Sequence, residues 1–120
     1  MQNKIDYHTT MTERSTYFIE KTSQVIRKLI SAPGNAKERL LENEVEICLS
    51  ISASIPEDLK PKREKIFSAL RKKNEIIVGD TVVMSSYKNT VRSMKNKTAG
   101  KIILDIYDLY SEVWFRSQNS

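Results

Sequence analysis

A chain of 120 residues with 39% apolar and 29% charged residues is one domain by size, long enough to bury a core without disulfides or metal. Three glycines and three prolines are too few for a sheet-rich fold with its frequent turns, and no run approaches the ~20 apolar residues of a membrane span. One cysteine, Cys48, and one histidine, His8, exclude a disulfide framework and the usual zinc sites, while a formal net charge of +5 favours anionic partners.

The expected fold is all-α, a compact bundle of four to five amphipathic helices, with residues 10–117 as its single domain and 1–9 as a flexible N-terminal segment. Thr10-Met11-Thr12-Glu13 fits a capping box, so the first helix is placed from about Thr10. Phe18, Thr22, Val25, Ile26, Leu29 and Ile30 then recur at helical spacing. The segment Ser31-Ala32-Pro33-Gly34-Asn35 ends it, and Asn35 suits the N-cap of a second helix. In that helix Leu41, Val45, Cys48, Leu49 and Ser52 form one stripe, which Ile47 and Ile51 widen. Cys48 reads as a small core residue. Glu38, Glu42, Glu44 and Glu46 crowd the first half, where the helix dipole favours them.

Ser54-Ile55-Pro56-Glu57 marks the next boundary, and Pro61 is tolerated at a helix start. Ile66, Phe67, Leu70, Asn74 and Ile77 keep helical spacing, which carries the third helix to Val78. Gly79 would then be its left-handed stop and Asp80 the cap of a fourth helix with Val83, Tyr87, Val91 and Met94 on one face. The alternative is a winged-helix-like fold with a short β-hairpin at 75–84. Gly79-Asp80 is an acceptable two-residue turn, and its Ile, Val and Thr neighbours favour strands. The helical corner is preferred, because neither arm alternates apolar with polar and an isolated two-stranded ribbon is marginal.

Asn96-Lys97-Thr98-Ala99-Gly100-Lys101 reads as a break before the last helix. There Ile103, Ile106, Tyr107, Tyr110, Val113, Trp114 and Ser117 trace the main stripe, and Trp114 and Phe115 are assigned to the core. Leu104, Leu109 and Phe115 fall off that stripe and suggest a second apolar face suited to a dimer contact.

No nucleotide-binding glycine loop, metalloprotease motif or paired-carboxylate pattern occurs, and the chain is read as non-enzymatic, without cofactor or metal. The informative signal is the position of the charge. Residues 1–59 carry a net −2, residues 60–101 a net +9 and residues 102–120 a net −2. Folding the two central helices against each other would bring their cations together. Lys62, Arg63, Arg71, Lys72, Lys73, Lys88, Arg92 and Lys95 are the candidate phosphate contacts, with Asn89 and Arg92 as candidate base readers.

The expected function is therefore a nucleic-acid-binding helical bundle, taking DNA or RNA on the central basic hairpin 60–101 as an accessory subunit of a nucleoprotein complex. Two rivals stand beside it. One is a protein-interaction module that self-associates or takes an acidic partner. The other is a winged-helix transcription regulator with 62–73 as recognition helix. A cytoplasmic location, with no membrane partner, follows from the reduced cysteine and the absence of an apolar leader.

Overall fold

The computed structural model describes the backbone of residues 2–119 and the side chains of residues 15–119. Among these, six α-helices, one 3-10 turn and one two-stranded sheet occur. The protein is mostly helical, as the composition implies.

Helix α1 spans Gln2–Ser31. Its helical backbone begins before the capping box expected at Thr10 and includes residues 2–9, set apart in the sequence, while the side chains of the box and of His8 lie outside the described residues. Phe18, Thr22, Val25 and Leu29 are buried along one face, while Ile30, read as part of that stripe, is 69% exposed. The helix ends where Gly34 takes φ +94°, a conformation other residues adopt only with strain. Helix α2, Ala36–Glu42, opens with Asn35 accepting the Glu38 backbone N–H at 3.0 Å, the expected cap.

The second helix expected over 36–52 is two helices. Asn43 separates α2 from α3, Glu44–Ile51. Its amide donates to the Arg39 carbonyl at 2.8 Å, a local bond that competes with the helical ladder. The buried face keeps helical spacing across the break, through Leu40, Asn43, Ile47 and Ser50, and it is a neighbouring face to the stripe expected there. Leu40, Ile47, Ser50 and Ile51 point into the core, and Val45 and Leu49, from the stripe expected there, lie 65% and 61% exposed.

A 3-10 turn, Glu57–Leu59, leads into α4, Lys60–Leu70, with Pro61 in its first turn. Helix α4 stops at Leu70, eight residues short of the expected end. Strands β1, Ile76–Val78, and β2, Thr81–Met84, follow as an antiparallel hairpin, so the helical corner is corrected to the short β-hairpin within a mostly helical fold. Three causes act together. β-branched residues lose side-chain freedom in a helix and suit a strand. Gly79, with φ +61°, and Asp80, without a positive φ, have the sign pattern of a type II′ turn. Finally, the chain after Leu70 is bonded to the next helix instead of to itself. Val78 pairs with Thr81 and Ile77 with Val82. The register slips between Ile77 and Ile76, which pairs with Met84, leaving Val83 unpaired as a bulge.

Helix α5, Ser86–Ser93, is capped by Ser85 rather than Asp80. Helix α6 runs Asn96–Asn119, so the segment Asn96–Lys101 is its first turns and not a break. One glycine costs only ~1 kcal/mol within a helix, and Ala99, fully buried beside Gly100, offsets it by packing. The true break is Met94, extended at φ −89°, ψ 165°.

Helix α6 is the centre of the fold, packing against α1, α2 and α4, while α3 packs on α1 and α5 on α2 and α4. Its buried stripe is Ala99, Ile102, Ile106, Leu109 and Val113. Leu109 is thus core rather than a second-face residue, and Trp114 and Phe115, expected inside, are 45% and 62% exposed. No helix among the described residues is long and apolar enough to cross a membrane.

Candidate nucleic-acid interface

The eight cations singled out in the sequence do not form one patch. Lys62 and Arg63 stand at the start of α4, at the far end from Arg71. Lys62 is ion-paired with Glu112 of α6. It also borders, with Lys65, a groove lined by Asp105 and Asp108. Arg63 is largely covered, with its Nη1 donating to the Ala53 carbonyl at 2.9 Å and its Nε 3.7 Å from Glu64. These two hold α4 in place and face carboxylates. Arg71 also has local work. Its guanidinium lies 4.6 Å from the centre of the Phe67 ring, and its charge is near enough to Cys48 to oppose the rise of that thiol.

The other five lie on or beside α5. Residues 71–75 are fastened to that helix by three hydrogen bonds. Lys73 N–H donates to Thr90 Oγ1 at 2.9 Å, Ser86 Oγ donates to the Lys73 carbonyl at 2.5 Å, and Asn89 Nδ2 donates to the Asn74 carbonyl at 2.8 Å. These bonds satisfy backbone groups that a longer α4 would have used itself. They also set Lys72 and Lys73 against α5. Lys88 and Arg92, four residues apart, share the exposed face of α5. Lys95 comes after the break at Met94, in the corner between α5 and α6, so the helical stripe expected through all three ends at Arg92. Among the described residues no carboxylate pairs with Lys72, Lys73, Lys88, Arg92 or Lys95.

The core fixes α5 from behind. Tyr87 is buried and its hydroxyl donates to the Leu40 carbonyl of α2 at 2.6 Å. Burial pushes the Tyr87 hydroxyl well above its usual range, so it remains a donor at any ordinary pH. Ser85 both accepts from Lys88 N–H at 3.0 Å and donates to Glu44 of α3 at 2.8 Å. At the other end Lys37 Nζ donates to the Arg92 carbonyl at 2.8 Å, where a cation also complements the helix dipole. Lys37 was not legible as part of this site. It lies in the net-negative part of the sequence, 55 residues away from Arg92, and no local pattern links them.

Asn89, named as a base reader, spends its amide N–H on Asn74, so it positions the loop. The hairpin adds no cation. Residues 75–84 carry Glu75, Asp80 and no Lys or Arg, and Ile77, Val78, Val82 and Val83 are each at least half exposed.

Cys48 is half-buried, and burial raises its thiol above the ordinary value although the nearby Arg71 charge opposes this. A thiol that keeps its proton is a poor nucleophile. Among the described residues, no three His, Cys, Asp or Glu side chains come together as a metal site. The chain matches no protein-family model, no curated protein and no solved structure.

Proposed function

We propose that the protein is a non-enzymatic nucleic-acid-binding module, an accessory subunit of a nucleoprotein complex, that holds a phosphate backbone on the exposed face of α5. Lys72, Lys73, Lys88, Arg92 and Lys95 supply the contacts. The observation that carries this reading is the fastening of the 71–75 loop onto α5, which gathers cations from two segments where no carboxylate pairs with them. Association driven by counterion release needs such a surface and no sequence readout. Thr98, exposed near the corner, adds a hydroxyl donor of the kind used on phosphate and sugar. Lys62, Arg63 and Arg71 are assigned to structure instead.

The order α4, hairpin, α5 also supports a second reading, a winged-helix regulator in which α4 enters a groove. Its exposed side would present Lys65 and Ser68, with Lys72 just beyond its end. The hairpin's aliphatic and acidic surface favours the first reading, since a wing that grips phosphate needs cations.

Fluorescence anisotropy with labelled mixed-sequence duplex and single strand separates the two. The double variant Lys88→Ala, Arg92→Ala should weaken binding at least ~10-fold, and Lys62→Ala, Lys65→Ala should leave it within ~2-fold. The reverse ranking transfers the site to α4. No binding of the unaltered chain at low salt removes both readings.

A further inference from the structure

Helix α6 carries apolar side chains that its own core does not use. Leu104 is 62% exposed, Tyr107 48%, Trp114 45% and Phe115 62%. At about 100° per residue these four share one side of the helix, roughly 140° around from the buried stripe of Ile102, Ile106 and Val113. Asp105 and Glu112 occupy a separate side, and Asp108 stands at the rim.

The two ends of this face differ in shape. At the Leu104 end, α6 and α1 enclose a groove of about 250 Å³ walled by Ile26, Ile30, Ile103, Leu104 and Tyr107, almost without polar surface. Ile30, on the α1 wall, is 69% exposed. Three helical turns further on, about 16 Å along the axis, Trp114 and Phe115 project from the same face. Hole and knob therefore sit on one surface of one chain. A twofold axis perpendicular to α6 and level with Leu109 would run two copies of α6 antiparallel. It would bring each projecting pair onto the other's groove end. Trp114 lies toward α1, as the groove does, and Phe115 lies on the side of Leu104.

We propose that the chain forms a twofold-symmetric homodimer through this face, with Trp114 of each protomer seated in the α1–α6 groove of the other and Phe115 over the other's Leu104. Self-complementarity of this kind is what an isologous contact requires. At the ~150–250 Å² that large side chains offer, Ile30, Leu104, Tyr107, Trp114 and Phe115 expose about 500 Å². With the half-buried Ile26, Ile103 and Tyr110 at the margin, each partner approaches the ~800 Å² of a standard interface. A nucleic acid is a poor occupant, because no cation lies within the face. The dimer does not rest on the nucleic-acid reading. Lys88 and Arg92 belong to a different element and stay free in it.

Analytical ultracentrifugation of the full chain from ~1 to ~500 μM tests this. A dimer mass should appear as concentration rises. Leu104→Glu, which spoils the hole, and Phe115→Lys, which spoils the knob, should each weaken dimerisation at least ~10-fold with unchanged far-UV circular dichroism. Mixing the two variants should restore it. One contact in the mixed dimer is then native, and the other sets the introduced lysine against the introduced glutamate. A monomer throughout the range overturns the proposal, as does a dimer indifferent to both substitutions or a mixture no tighter than its parts. Should either variant misfold, Trp114 emission of the unaltered chain decides. A blue shift growing with concentration is expected, and constant emission with a monomeric mass overturns the proposal.

Discussion

Tyr87→Phe removes one oxygen and keeps the ring. Tyr87 is 3% exposed, and its hydroxyl donates to the Leu40 carbonyl at 2.6 Å, across 47 residues of chain. That bond joins α5 to α2, and no water can replace it at a site so well covered. A buried neutral hydrogen bond contributes a net ~1 kcal/mol, and an acceptor left unpaired adds to the cost, so the loss should be about 1–2 kcal/mol. For a domain near 120 residues this lowers Tm by roughly 4–8 °C. Urea unfolding should show a lower midpoint with an unchanged slope, because the surface exposed on unfolding is the same. Tyr17→Phe is the control. Tyr17 is 51% exposed, and its loss should stay within ~0.5 kcal/mol. Equal effects of the two substitutions would refute the assignment of a stabilising hydroxyl bond at Tyr87, and with it the account of what holds α5.

Thr22 is fully buried and its hydroxyl has no hydrogen-bond partner. Thr22→Val should therefore stabilise the protein by about 1 kcal/mol in the same urea assay, and a clear destabilisation would show that the hydroxyl is satisfied. Asn35→Ala removes the α2 cap and should cost about 1 kcal/mol, while Asn35→Asp or Ser should cost little. Burial raises both the Cys48 thiol and the Tyr87 hydroxyl, so the folded chain keeps protons that the unfolded chain releases. Stability should hold below the unfolded values and fall as pH rises past ~8.5 and again past ~10. Thermal unfolding from pH 7 to 11 should show that decline, with its upper part absent in Tyr87→Phe.

The helical class, the Asn35 cap, the stop at Gly34 and the entry of α4 near Pro61 are all written in local sequence, where one residue type meets one backbone need. The hairpin was harder. Ile76-Ile77-Val78 and Val82-Val83-Met84 fit helical spacing as well as strands, and what decides between them lies elsewhere in the chain. Thr90, Ser86 and Asn89 of α5 take the backbone groups of residues 73–74. In α3 and α6 the apolar residues outnumber the core positions. Val45, Leu49, Trp114 and Phe115 could have been inside by type, and what places them outside is which face of α3 and α6 meets the neighbouring helices, which no local spacing records. The cation cluster was legible as charge density but not as geometry. Lys62 meets Glu112 across 50 residues, and no local pattern announces such a partner.

The central claim is that five cations around α5 neutralise phosphates. Binding of a mixed-sequence duplex, measured by anisotropy across a salt series, gives the slope of log K against log salt. With ~0.9 per neutralised phosphate, the unaltered chain should give a slope of about −4 to −4.5. Replacing Lys88, Arg92 and Lys95 together by alanine should reduce its magnitude by about 2.7. A slope that is flat in the unaltered chain, or the same in both proteins, would contradict the account.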